Sequence, residues 1–304
     1  MDELYARVER VMLRSDFDRL YADDIEAILR LKESRNAVIL AHNYQTPEIF
    51  HCVSDICGDS LALARKAQGL DADIIVMAGV HFMAETAKMM NPDKTVLIPD
   101  MMAGCSLASS ITAADVRAMK AANPGVPVVT YVNSTADVKA ESDVCCTSAN
   151  AANIVRSLGV PRVIMIPDEF LARNIQAATG IEMITWPGHC EVHERFTPAE
   201  IRSYRRQNKG VVVMAHPECP PEVVQEADFS GSTAAMANYV STAKPEKVFL
   251  VTECSMSDNL ATLHPETEFV RPCNLCPHMK RITLKGLRRT LENLTEEIRI
   301  PAPL

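Results

Sequence analysis

Ten cysteines are distributed along the 304-residue chain, and three of them stand at even intervals: Cys105, Cys190 and Cys276, separated by 85 and 86 residues. Even spacing constrains a fold only if the intervening segments resemble one another, because internal similarity is the mark of an architecture built by repetition. They do. A β-branched run opens each segment, Ala-Val-Ile-Leu-Ala-His-Asn-Tyr at 37–44, Val-Pro-Val-Val-Thr-Tyr-Val-Asn at 126–133 and Gly-Val-Val-Val-Met-Ala-His-Pro-Glu at 210–218. A hydroxyl-bearing pair then precedes a run of small residues, at Asp59-Ser60, Thr147-Ser148 and Ser232-Thr233. Second apolar runs follow at 74–78, 163–166 and 248–251, then helix starts at 82, 169 and 255, then a short strand leading to the cysteine. The pattern predicts three βαβαβ copies of an α/β unit. Each copy delivers one cysteine, so an approximate threefold arrangement brings three thiolates to one point.

On this reading the domains are residues 1–108, joined by the C-terminal stretch 278–304, then 109–193, then 194–277. Residues 2–34 are expected to be helical, with Asp23 and Asp24 capping the segment that starts at Ile25. Residues 283–299 are expected to form a closing helix with a solvated face. A net charge of −8 argues against a nucleic-acid binder, which needs a basic face. The N-terminus, with Asp2 and Glu3, does not resemble an export signal, and no uncharged apolar run reaches the ~20 residues that span a bilayer, so neither a nucleic-acid partner nor a membrane is expected. The expected location is the cytoplasm, where clustered cysteines bind metal or act in redox chemistry more often than they form disulfides.

Parallel α/β sheets place ligands beyond the carboxyl ends of their strands. His42 and Tyr44, Tyr131 and Asn133, and His216 and Glu218 end the three opening runs and are the first site candidates. Each taken singly is more often turn chemistry; the triple recurrence shifts the balance toward a site. Ser60, Ser148 and Thr233 at helix starts fit N-caps, and also a cradle of backbone N–H groups for carboxylate or phosphate. His193, three residues beyond Cys190, adds a proton-transfer group beside a metal centre. Cys52, Cys57, Cys145, Cys146, Cys219 and Cys254 read as small buried hydrophobes. Cys273 and Cys276 form a Cys-x-x-Cys pair that suits half a zinc site or a redox dithiol.

The ordered motifs Ala-His-Asn-Tyr at 41–44, Gly-Asp-Ser-Leu at 58–61, Phe-Met-Ala-Glu-Thr-Ala-Lys at 82–88, Ala-Gly-Cys-Ser at 103–106, Tyr-Val-Asn at 131–133, Thr-Ser-Ala-Asn at 147–150, Gly-His-Cys-Glu-Val-His at 188–193, His-Pro-Glu at 216–218, Gly-Ser-Thr at 231–233 and Cys-Pro-His-Met at 276–279 resemble quinolinate synthase, the iron–sulfur enzyme family of de novo NAD biosynthesis. The resemblance covers nearly the whole chain. It implies three homologous three-layer αβα domains in a pseudo-threefold triangle with a [4Fe–4S] cluster at the centre. Cys105, Cys190 and Cys276 would be its ligands, with one iron left open as a Lewis acid. The implied reaction, of the transferase class, condenses iminoaspartate with dihydroxyacetone phosphate to quinolinate, phosphate and water. An L-aspartate oxidase or dehydrogenase would supply the iminoaspartate.

By the same resemblance His42, Ser60, Tyr131, Asn133, Ser148, His216 and Thr233 hold substrate together with Glu218, while Tyr44, His193 and Glu218 move protons. Glu218 is the expected base, with a pKa raised toward neutrality in a partly dry site. A thiol switch using a third terminal cysteine has no counterpart at residues 268–270. Two other readings remain: a different hydro-lyase with the same cluster, and a zinc or thiol-redox module using Cys273 and Cys276.

Overall fold

A computed structural model describes residues 1–271 and 274–301, apart from the side chains of Leu61 and Ala64. Cys273 therefore lies outside the described residues. The strands are β1 (Ala37–His42), β2 (Ile56–Gly58), β3 (Ile74–Ala78), β4 (Thr95–Leu97), β5 (Val128–Tyr131), β6 (Val144–Cys146), β7 (Arg162–Ile166), β8 (Glu182–Thr185), β9 (Val212–Ala215), β10 (Phe229–Ser230), β11 (Lys247–Val251) and β12 (Glu268–Val270). They form three four-stranded sheets of the same order, β2-β1-β3-β4, β6-β5-β7-β8 and β10-β9-β11-β12. The pairings of β1 with β2 and β3, of β5 with β6 and β7, and of β9 with β10 and β11 are all parallel. Identical topology three times in chain order bears out the α/β repeat.

Each copy has one strand more than the three expected. The additional strands β2, β6 and β10 are sheet edges of two or three residues, too short to carry an apolar run. An aspartate holds each in register. Asp55, Asp143 and Asp228 accept the backbone N–H of Ile39, Val128 and Val213 at 2.7, 2.7 and 2.8 Å. Their own N–H groups donate to the carbonyls of the same three residues. A cation 23 residues earlier on the preceding helix completes each clamp: Lys32 at 2.7 Å from Asp55, Lys120 at 3.6 Å from Asp143 and Arg205 at 2.8 Å from Asp228. The same cations donate to the carbonyls of Val53, Glu141 and Glu226, two residues before each aspartate. The ladder therefore begins on a paired, hydrogen-bonded carboxylate, which satisfies donors that an edge leaves open.

By internal contacts the chain divides into two compact units, Met1–Gly104 with Glu253–Pro301, and Cys105–Thr252. In the first, β3 is buried at every residue, as a strand covered on both faces requires. The helix Ala22–Ser34 begins three residues before the expected start at Ile25, so Asp23 and Asp24 lie in its first turn, where they favour the positive end of the dipole. The closing helix is Leu284–Asn293, capped by Thr283, and buries Leu284, Leu287 and Leu291. It is shorter than expected because Leu294 turns left-handed at φ 53°, after which the tail adds to β4 through Leu97 and Glu297. In the second unit Ile111, Val116, Val128, Val138, Ile164 and Ile166 form a buried cluster, with Trp186 packed against it.

Cys52, Cys146, Cys219 and Cys254 are buried as expected, but Cys145 is exposed and Cys57 half-buried, because β6 and β2 are edge strands with one side open. Burial pushes the thiols of Cys52 and Cys57 up to about 12. On the helix Pro47–Cys52, burial, together with the Arg7 charge, outweighs a backbone contact at Asn259 and pulls His51 down to about 4. Its Nε2 has no hydrogen-bond partner among the described residues. An unfolded histidine takes its proton near 6.5. Between 6.5 and 4 the unfolded chain thus binds a proton that the folded chain refuses, so stability is lost as pH falls through this window. Melting followed from pH 7 to pH 4 should show a shallower decline in His51→Gln than in the parent; equal declines would exclude His51 as a contributor.

Candidate active site and metal centre

The strand register aligns the predicted site residues. Ala41 pairs with Cys57, Thr130 with Cys145 and Ala215 with Ser230. One residue further on stand His42, Tyr131 and His216, and two beyond those stand Tyr44, Asn133 and Glu218. These six positions occupy equivalent places at the carboxyl ends of β1, β5 and β9, where open α/β sheets bind ligands.

Within residues 105–252 the centre of the arrangement is Glu218, 3 % exposed. Tyr131 donates its phenol to Oε1 at 2.5 Å and Asn133 its amide at 3.2 Å. On the other oxygen, His193 Nδ1 lies 2.7 Å from Oε2 and His216 Nδ1 3.7 Å from it. The two imidazoles stack, with ring centroids 4.7 Å apart. His193 is fixed further by a 2.9 Å hydrogen bond between Nε2 and Thr252 Oγ1. Burial alone pushes the Glu218 carboxyl up, but the charges of His216 and His193, with the hydrogen bonds from His193 and Tyr131, outweigh it and hold the pKa at about 2. The expectation of a raised pKa is therefore corrected: the site is closed, yet its polar partners stabilise the anion more than burial penalises it.

Cys190 completes this group. Its Sγ lies 3.1 Å from His193 Nδ1, and Cys190, His193 and Glu218 present donor atoms within 4.8 Å of one another, a set that could hold a metal ion. Burial holds the Cys190 thiol well above its ordinary range, and the charges of Glu218 and Cys105 add to this. The loop carrying Cys190 passes close to its neighbours at Gly188, where a Cβ would overlap the Pro167 carbonyl oxygen and lie 2.6 Å from Ser110 Oγ. Glycine is required here by space.

In the unit made of residues 1–104 and 253–301, His42 and Tyr44 meet edge to face at 4.6 Å, and the Tyr44 N–H donates to His42 Nδ1 at 3.2 Å. Residues 43–45 are held by Asn259, which donates to the carbonyls of Asn43 and Gln45, and by Lys280, whose ammonium donates to the Tyr44 carbonyl at 2.7 Å. Lys280 also donates to Ser255 Oγ at 2.6 Å and pairs with the buried Glu253 at 3.0 Å. Glu253 in turn accepts the N–H of Cys276 at 3.4 Å. This network was not read from the sequence, and neither was Asp168. Yet Asp168 and Glu253 share a signal: each is an acid two residues past the end of its copy's second apolar strand, β7 or β11. Asp168 caps the helix Glu169–Thr179 by accepting the Leu171 N–H at 3.0 Å, while burial and then the charge of Glu218 raise its pKa well above the ordinary carboxyl value.

The three hydroxyls at the expected helix starts are placed differently. Ser60 and Thr233 are the first residues of the helices Ser60–Ala67 and Thr233–Ala243, but the capping side chains belong to Asp59 and Ser232, one residue earlier. Ser148 does not open a helix, because Asn150 precedes Ala151–Ser157 and its side chain already accepts from the Thr147 N–H at 2.7 Å. The side-chain caps of the first and third helices thus come from Asp59 and Ser232, while Ala151–Ser157 has no side-chain cap bond.

A parallel α/β protein with a carboxylate, imidazoles, phenol and thiols gathered at its strand ends has the architecture of an enzyme. The family model described as quinolinate synthetase A protein matches residues 26–304. The chain is 70 % identical over 289 residues to quinolinate synthase 2 of Mesorhizobium japonicum, covering 95 % of this chain and 89 % of that protein. It is 64 % identical over 297 residues to quinolinate synthase of Agrobacterium fabrum, covering 98 % and 86 %, and 58 % identical over 288 residues to that of Caulobacter vibrioides, covering 93 % and 78 %. The chain belongs to the quinolinate synthetase A family. Among the described residues no helix is long and apolar enough to cross a membrane.

Proposed function

We propose that this chain is a quinolinate synthase of NAD biosynthesis, condensing iminoaspartate with dihydroxyacetone phosphate and releasing phosphate and water. The observation that carries the reading is the Glu218 carboxylate, kept ionised by two imidazoles and a phenol in a buried site. A carboxylate so held stays ionised, and with His193 Nδ1 2.7 Å from its Oε2 the two groups lie within reach for proton transfer. Tyr131 and Asn133 fix the direction of Oε1, and Thr252 fixes the ring of His193. We assign proton transfer to Glu218, His193 and Tyr44, and substrate carboxylate and phosphate binding to His42, Ser60, Tyr131, Asn133, Ser148, His216 and Thr233, with Glu218 at the reacting end. The domain limits of the repeat, a cytoplasmic setting and an oxidase or dehydrogenase supplying iminoaspartate belong to the same reading.

The thiols fit an iron–sulfur group. Burial, with the charges of Glu218 and Cys105, raises the cost of ionising Cys190, a cost that a bound soft cation relieves. With Cys276, which completes the 85 and 86 spacing, they are assigned as the three ligands of a [4Fe–4S] cluster. Bound there, the cluster supplies a Lewis acid at its one iron without a cysteine. A second reading, a single metal ion on Cys190, His193 and Glu218, is favoured by the closeness of their donor atoms. Anaerobic purification with iron and sulfide assay, followed by product analysis with both substrates, tests the two. About four irons with matching sulfide and quinolinate as product support the cluster reading. One metal without sulfide supports the second, and a metal-loaded protein without quinolinate refutes the assigned reaction.

Ser232 rather than Thr233 caps the helix, so Thr233→Ala should weaken substrate binding more than it lowers the melting temperature. Substrate KM should rise several-fold. Unchanged KM would remove Thr233 from the binding assignment.

A further inference from the structure

We propose that Ser106 is a positioning residue that holds the Cys105 and Cys190 segments at the separation their thiols need. The proposal rests on the assignment of both cysteines as ligands. Ser106 follows Cys105 directly, and its hydroxyl is used twice. It donates to the His189 carbonyl at 3.0 Å and accepts the Glu191 N–H at 3.1 Å. His189 and Glu191 are the two neighbours of Cys190, so one side chain adjacent to the first cysteine grips the backbone on both sides of the second. The hydroxyl supplies one proton and one lone pair, and both are consumed in this bridge.

The rest of the contact explains why so small a group suffices. Trp186 donates its indole N–H to the Ser110 carbonyl at 3.0 Å, so the start of the cysteine loop is tied to the other end of the short helix Ser106–Ser109. Gly188 approaches the Pro167 carbonyl and Ser110 Oγ so closely that no Cβ fits between them. The Cys190 carbonyl accepts the Glu194 N–H at 3.0 Å, which fixes the outgoing chain. Residues 189–191 lie between these ties; His189 is also anchored by Glu169 at 2.9 Å, and Ser106 is a side chain that joins both flanks of Cys190 to the Cys105 segment. Fixing two thiols at a set distance lowers the ordering cost of placing them on one metal group, and the loss of such supporting hydrogen bonds typically lowers metal affinity ~10- to 100-fold.

The test uses the anaerobically purified holoprotein and follows iron release to a chelator. Ser106→Ala should lose iron at least about tenfold faster than the parent, and Ser106→Thr, which restores the hydroxyl, should return the rate to within about twofold. Melting of the apo forms should be the same for the parent and both variants. Cys190→Ser serves as the control for the underlying assignment. If Cys190→Ser retains the full iron content, the ligand reading itself fails. If Cys190→Ser loses iron while Ser106→Ala releases it at the parent rate, the ligand reading stands and the role of Ser106 is overturned. Rapid iron loss in Ser106→Ala with lowered apo melting and no rescue by threonine also overturns it, since that pattern marks a general loss of stability.

Discussion

Glu218→Gln should retain iron and fold but lose turnover by about 10² to 10⁴-fold, the usual contribution of a positioned base. The amide keeps the shape and can still accept from Tyr131, but it cannot take a proton and it removes the negative charge facing His193 and His216. Without the carboxylate charge the variant should also respond differently to acid. In the parent, a carboxyl ordinarily near 4.5 is held at about 2, which contributes stability above 4.5 that is lost as pH falls toward 2. Glutamine removes that component, and the acid limb of the stability profile should flatten. Activity within tenfold of the parent, measured on protein with matched iron content, would sink the assignment of Glu218 as the base.

Cys276→Ser should abolish iron–sulfur binding altogether, whereas Cys273→Ser should keep iron and most of the activity when prepared without oxygen. Serine is nearly isosteric, but its hydroxyl stays protonated near neutral pH and replaces a soft thiolate poorly. The contrast rests on register. Cys276 continues the spacing of Cys105 and Cys190, while Cys273 has no counterpart in the other two copies. The backbone at Cys276 is also held: its N–H faces Glu253, its carbonyl accepts the Lys280 N–H, and the half-buried Lys280 ammonium pairs with the buried Glu253 carboxylate. Iron and sulfide content of both variants checks the prediction. Cluster loss in Cys273→Ser with retention in Cys276→Ser would reverse the register on which the three-ligand assignment stands.

The sequence determined the repeat, the α/β class and the positions of the strand-end residues, because long parallel strands buried on both faces need continuous apolar runs, and such runs are visible along the chain. His42, Tyr131 and His216 were legible for the same reason: each stands at the end of such a run. The edge strands β2, β6 and β10 were not, since they are held by Asp55, Asp143 and Asp228 with a cation 23 residues away, and no local apolar pattern reports such a clamp. Nor could spacing decide the electrostatics. Burial of Glu218 was foreseeable and argued for a raised pKa, but the sign depends on which groups surround the carboxylate. Tyr131 stands 87 residues away in the chain, and His193 is in another copy of the repeat, so only the folded chain shows that they face it. The same holds for Ser106, an ordinary serine after a cysteine until the fold lays both neighbours of Cys190 against its hydroxyl. Local chemistry sets which residues can form strands, caps and ligands; the sign of a charge effect and the partners of a hydroxyl are properties of distance in space, which only tertiary structure decides.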